Sequence, residues 1–91
     1  MKNKETIYKQ AWEQYGAEKQ IIVAMEECAE LTKELSKLLR NKDNLMSVAE
    51  EMADVEIMIE QIKQHFAVSA VVAGFKVYKI KRLEKRLKTG E

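Results

Sequence analysis

Apolar residues recur every three or four positions along nearly the whole chain, the period of helices that bury one face. The pattern predicts four of them. The first covers about residues 4 to 15, with Gly16 as its terminator. The second runs from about Ala17 to Arg40 on an apolar seam of Ile21, Ala24, Cys28, Leu31, Leu35 and Leu38. "NKDN", Asn41 to Asn44, reads as a loop, with Asp43 or Asn44 capping a third helix from about Leu45 to His65. "HFAVS" reads as a second turn, with Ser69 as an N-cap, and a fourth helix continues to about Lys88, where Thr89 and Gly90 end it. Gly74 inside that helix costs about 1 kcal/mol against Ala, and close helix packing is the expected reason for it. Two long helices joined by a short loop are antiparallel neighbours. The expected fold is therefore all-α: one domain over residues 1–91, an antiparallel bundle of about four helices.

Composition sharpens this picture. The chain has 91 residues, no proline and three glycines, and good helix formers dominate it. A core of this size is small, and such chains often gain stability by associating. The formal net charge of +1 argues against nucleic-acid binding through bulk charge. Carboxylates gather in the middle of the chain, and the last quarter is basic. Cys28 is the lone cysteine, so no intrachain disulfide can form and a reducing cytoplasm suits the chain. "MKNKETIYKQ" lacks the apolar run of a signal peptide, and "AVSAVVAGF" is too short to span a membrane.

The carboxylates raise the question of chemistry. In "MEECAELTKEL", Glu26, Glu27, Glu30 and Glu34 fall on one contiguous arc of the second helix. Alone, that arc is a solvated face. The third helix changes the weighing. In "VAEEMADVEIMIEQI", Glu51 projects among Val55, Met58 and Ile62, inside an apolar arc, with Asp54 beside it at the edge. A carboxylate on a core-facing stripe is costly unless it is paired or metal-bound. Two Glu/Asp pairs at i, i+3 on antiparallel neighbours can close a cage of oxygen donors. Oxygen ligands without His or Cys favour Mg²⁺ or Mn²⁺ over zinc. The lone histidine, His65, is remote in sequence from the cluster.

The fourth helix supplies a complementary feature. Its stripe of Val68, Val72 and Phe75 continues as Lys79, Arg82 and Arg86. Cations near a helix C-terminus complement the macrodipole, which accounts for Lys85 and Lys88. It accounts less well for Lys79 and Arg82, a turn or more further in. A metal cage beside a cationic stripe is what a polyphosphate needs, since Mg²⁺ bridges phosphate oxygens and Arg takes them bidentately.

Glu26-Glu27-x-x-Glu30, twenty intervening residues and Glu51-x-x-Asp54 together resemble the signature of the MazG-like all-α NTP pyrophosphatases, a superfamily that includes dimeric dUTPases. "WEQYGAEKQIIVAMEECAELTKEL" looks like the family's first half and "KIKRLEKRL" like its basic last helix. The resemblance implies hydrolysis of a nucleoside triphosphate between the α- and β-phosphates, releasing a monophosphate and pyrophosphate. It implies Mg²⁺ held by Glu27, Glu30, Glu51 and Asp54, with Glu26 orienting or deprotonating the attacking water. Lys79, Arg82 and Arg86 carry over as phosphate contacts. The chain departs from the family at "HFAVSAVVAGF", which is more apolar than the charged helix start found there and so marks a candidate subunit interface.

The other residues have plainer readings. Trp12 and Tyr15 pack the first helix onto the bundle, or Trp12 stacks on a base. Gln20 contacts a base or lies on the surface. Cys28 is read as a small buried hydrophobe. Uncovered apolar faces call for a homodimer, or a tetramer built from two dimers, with composite sites. The rival to the Mg²⁺-dependent hydrolase is a non-catalytic helical module for oligomerisation or regulation. Glu51 separates the two, because an adaptor has no reason to bury it. A di-iron bundle is disfavoured because the chain holds no Glu-x-x-His pair.

Overall fold

The computed structural model describes residues 2–91 as four α-helices with no strand. They are α1 (Lys4–Tyr15), α2 (Ala17–Leu39), α3 (Leu45–His65) and α4 (Ser69–Thr89). Asn3 caps α1, its side chain accepting from the Thr6 N–H at 2.9 Å. Gly16 both ends α1 and opens α2 at φ 89°, a conformation that only glycine adopts without strain. Gly90, left-handed at φ 77°, closes α4. These boundaries agree with the periodicity. The caps do not all agree: Asn44 precedes α3 and Val68 precedes α4, and neither makes a side-chain cap bond. Ser69 is the first residue of its helix rather than its cap.

α2 and α3 form an antiparallel hairpin, and α1 packs across both. The turn between them passes through Asn41 at φ 62°, where asparagine is among the best tolerated side chains. Asn44 Nδ2 then donates back to the Glu34 carbonyl at 2.9 Å and to Glu34 Oε2 at 3.0 Å, tying the two ends of the turn. The buried apolar core is small: Trp12, Ala24, Val48 and Met58.

Two expectations fail for one physical reason. The α2 face that meets α3 runs through Gln20, Ala24, Glu27, Leu31 and Glu34, turned by roughly 50° from the predicted seam at about 100° per residue. Ile21, Leu35 and Leu38 are therefore exposed, and Cys28 is exposed rather than buried. α2 carries more apolar residues than one neighbour can cover, and pattern alone does not say which part of so wide a stripe is used. Tyr15 is also exposed. Gly74 has open space where a side chain would be, so close packing does not explain it.

α4 stands apart. It packs against α3 only, and no Cα of α4 lies within 8 Å of α1 or α2. Val68, before the helix, and Val72 are its half-covered residues; everything after Val72 is exposed. The radius of gyration is 16.4 Å, against about 12 Å for a compact domain of this length. No helix among the described residues is long and apolar enough to cross a membrane.

Candidate metal centre

The turn of α2 toward its acidic side points Glu27 at α3. From α3, Glu51 and Asp54 point back, one turn apart. One carboxylate oxygen from each of the three lies within 4.8 Å of the others. Glu27 and Glu51 are half-buried and Asp54 is exposed. Glu51 sits between Val48 and Val55 on the covered side of α3, as its place in the apolar arc predicts. Its Oε2 is buried and has no hydrogen-bond partner.

The electrostatics follow from this crowding. Burial raises the Glu27 carboxyl above its ordinary value of 4.5; a hydrogen bond with Asp54 adds to the rise, as do the charges of Asp54, Glu51 and Glu30. Burial likewise raises Glu51, followed by the charges of Asp54, Glu30, Glu34 and Glu50. Both groups therefore resist ionising unless a cation joins them. The donor set fits a hard divalent ion. All three ligands are carboxylates from rigid helices, and octahedral bonds of about 2.1 Å require oxygens about 3 to 4 Å apart. That is within a small rotamer change of the observed spread. The orphaned Glu51 oxygen is the atom such an ion would satisfy.

Of the four expected ligands, the structure thus brings three together. Glu30 is exposed one turn further along α2, outside the convergence but close enough to raise both Glu27 and Glu51. Glu26 is exposed on the outer side of the same helix. Glu34 is otherwise engaged: it accepts from Asn44, and from Lys37 Nζ at 3.3 Å, and these contacts hold its carboxyl below the usual range. Lys79, Arg82 and Arg86 are exposed on α4, away from α2.

Two turns along the same seam lies a node that sequence reasoning missed. Gln61 Oε1 accepts from Trp12 Nε1 at 2.9 Å and from Gln20 Nε2 at 3.0 Å, joining α1, α2 and α3. All three residues are buried. Gln20 is thus buried rather than a surface residue, with its amide engaged by Gln61. Trp12 does pack α1 onto the hairpin, stacking on His65 with ring centres 4.0 Å apart. It also lines a mostly apolar cleft of about 400 Å³ with Tyr8, Lys9, Gln61, Gln64 and His65. The signal for Gln61 was available. It lies seven residues beyond Asp54, as Gln20 lies seven before Glu27, so both pairs share one face of the hairpin. Beside the cleft, Glu60 accepts from the Tyr8 hydroxyl at 2.8 Å and from Lys4 Nζ at 3.2 Å.

No family model, no curated protein and no solved structure matches the chain.

Proposed function

We propose that this protein is a Mg²⁺-dependent nucleoside triphosphate pyrophosphohydrolase that converts a (d)NTP to a (d)NMP and pyrophosphate, with Mn²⁺ able to replace Mg²⁺. The observation that carries the reading is the convergence of Glu27, Glu51 and Asp54 around a buried Glu51 oxygen with no partner. A purely structural hairpin gains nothing from that arrangement, because an unpaired buried carboxylate is destabilising.

In this reading Glu27, Glu51 and Asp54 hold the ion, and Glu30 joins them from the next turn of α2. The bound ion would neutralise phosphate charge and make water a better nucleophile. Glu26, on the solvent side of the acidic arc, orients the attacking water and takes its proton. The water oxygen adds at phosphorus as the bridging bond between the α- and β-phosphates breaks. Lys79, Arg82 and Arg86 bind phosphate oxygens. Trp12 offers an aromatic edge to the substrate from the cleft at the end of the seam. Gln20 acts through Gln61 rather than by contact. The working unit is a homodimer, or a tetramer of two dimers.

The exposed apolar residues of α4, Val71, Phe75 and Tyr78 among them, favour one second reading, a non-catalytic helical module. A panel of ribo- and deoxyribonucleoside triphosphates, assayed for pyrophosphate release with Mg²⁺ and with EDTA, decides. Metal-dependent release from at least one member is expected. Silence across the panel with both Mg²⁺ and Mn²⁺ leaves the helical module.

A further inference from the structure

We infer that Gln61 selects the base of the substrate. It favours a base with a carbonyl on the edge away from the sugar over one with an amino group there, uracil over cytosine and hypoxanthine over adenine. Placing a nucleotide here rests on the function proposed above; the preference rests on the polarity of the node that joins Trp12, Gln20 and Gln61.

Gln61 stands where a base would reach. It lies seven residues beyond Asp54 on one face of α3, about 10.5 Å along the helix at 1.5 Å per residue. A triphosphate held at the carboxylates trails its sugar and base over a distance of that order. At this end of the seam it meets the cleft of about 400 Å³ lined by Tyr8, Trp12 and His65, whose apolar walls suit a flat ring.

Polarity decides which ring. An amide has an acceptor at one end and donors at the other, and the protein fixes which way Gln61 faces. The Trp12 indole N–H can only donate, so Gln61 must turn its oxygen toward it. Gln20 does not fix the orientation, because its own amide can offer either end; here its Nε2 donates to the same oxygen. Both lone pairs of Gln61 Oε1 are thereby taken. Gln61 Nε2 is left facing the other way. It donates to Met58 Sδ at 3.5 Å, and a thioether is a weak acceptor. Met58 is about one turn nearer Asp54, so the amide nitrogen points along α3 toward the carboxylates and an incoming ligand.

The neighbouring groups leave that nitrogen to the ligand. The Tyr8 hydroxyl donates to Glu60, Gln64 Nε2 donates to the Glu5 carbonyl, and Lys9 and Glu13 are exposed at the rim. Among the described residues of the cleft, Gln61 is the buried one whose donor meets only sulfur. A base carbonyl would give it an oxygen. A base amino group would set donor against donor, with no lone pair on Gln61 Oε1 left to receive it. Uracil and cytosine share one outline, as do hypoxanthine and adenine, so shape alone does not separate the members of either pair.

The test uses those matched pairs. With Mg²⁺, the wild type should release pyrophosphate from dUTP over dCTP, and from dITP over dATP, by about 10- to 100-fold in kcat/KM. Ratios near one, or a reversed order, overturn the inference. Trp12→Phe removes the N–H that holds Gln61 in place and leaves both amides free to turn, so both ratios should fall to near one. A loss of structure alone would slow the two members of a pair equally and leave their ratio. The paired variant Gln20→Leu with Gln61→Leu removes the selecting nitrogen itself, keeps Trp12, and should also bring the ratios to near one. A folded variant of either kind that keeps the wild-type ratios overturns the assignment, and the wild-type ratios decide alone if neither variant folds. If the wild type cleaves none of the four, the hydrolase reading falls, and binding of UMP, CMP, IMP and AMP is followed by the emission of Trp12, the lone tryptophan. Tighter binding of UMP and IMP upholds the selection by Gln61; equal binding, or none, removes it.

Discussion

Replacing Gln61 by leucine removes one acceptor and strands two donors. Gln61 is 7% exposed, and Trp12 and Gln20 are each 6% exposed, so their polar atoms depend largely on one another. The change keeps approximate volume and discards only a weak 3.5 Å contact from Gln61 Nε2 to Met58 Sδ. What is lost is the oxygen that receives the indole N–H at 2.9 Å and the Gln20 amide at 3.0 Å. A buried donor left without a partner costs about 1 to 3 kcal/mol, so two cost about 2 to 6 kcal/mol. For a domain of this length each kcal/mol is about 4 to 8 °C in Tm. The Gln61→Leu variant should therefore melt at least about 8 °C below wild type, and the upper end of that range unfolds a domain of ordinary stability.

Thermal melts followed by circular dichroism measure this, and a double-mutant cycle assigns it. Gln20→Leu removes one of the stranded donors, so the double variant Gln20→Leu with Gln61→Leu should recover about 1 to 3 kcal/mol relative to Gln61→Leu alone. The node lies two turns from the carboxylates, so a folded Gln61→Leu protein should still gain stability from Mg²⁺. A Tm within about 2 °C of wild type, or a double variant no better than the single, would refute the reasoning.

Mg²⁺ at one hundred times its Kd should add about 2.7 kcal/mol, or roughly 10 to 20 °C, to the melting point in EDTA. Glu51→Gln should raise the metal-free Tm and shrink that gain; superimposable melts in Mg²⁺ and EDTA remove the metal site. In EDTA, the raised Glu27 and Glu51 carboxyls contribute stability that is complete below 4.5 and lost as pH rises through their higher folded values. The lowered Glu34 and Glu60 act oppositely, so the diagnostic is the Tm of Glu51→Gln minus that of wild type: it should grow as pH rises above 4.5, and a flat difference contradicts the assignment. Glu26→Gln should lose about 10²- to 10⁴-fold in turnover with an unchanged Mg²⁺ midpoint. Glu27→Gln should shift that midpoint upward and recover partly at high Mg²⁺; the opposite pattern exchanges the two roles.

The helices were legible because their signals are local. Gly16 and Gly90 act within a turn of themselves, and a four-residue loop leaves a hairpin little choice. Glu51 was legible for a related reason: a carboxylate inside an apolar arc is conspicuous whatever packs on it. The orientation of α2 was not. Ile21, Cys28 and Leu35 make as apolar a stripe as the one that is buried, and the choice between them depends on which partners α3 offers. α3 offers Gln61, Glu51 and Asn44 at intervals, so α2 turns Gln20, Glu27 and Glu34 toward them. The departure of α4 was hidden as well. Its turn passes through Ala67 in the left-handed region, and alanine carries no signal for that conformation.

That turning of α2 gives the seam a layered character. Gln20 faces Gln61 at one end, Glu27 faces Glu51 and Asp54 in the middle, and Glu34 faces Asn44 at the other. Apolar residues separate the layers: Ala24 and Met58 lie on one side of the middle, Leu31 and Val48 on the other. Each polar layer rules out a one-turn slip, because sliding α3 would set a carboxylate or an amide against an aliphatic side chain. The two end layers are paired within the protein. Gln61 Oε1 receives two donors, and the Glu34 carboxylate receives Asn44 and Lys37, leaving only a neutral amide oxygen, Asn44 Oδ1, without a partner. The middle layer holds three acids, with only the bond between Glu27 and Asp54 inside it and no amide or cation from the hairpin. A layer that served register alone would be paired like the other two. In the function proposed above, the partner at the centre is positive, binds several oxygens and comes from outside the hairpin. The divalent cation of that proposal meets all three conditions.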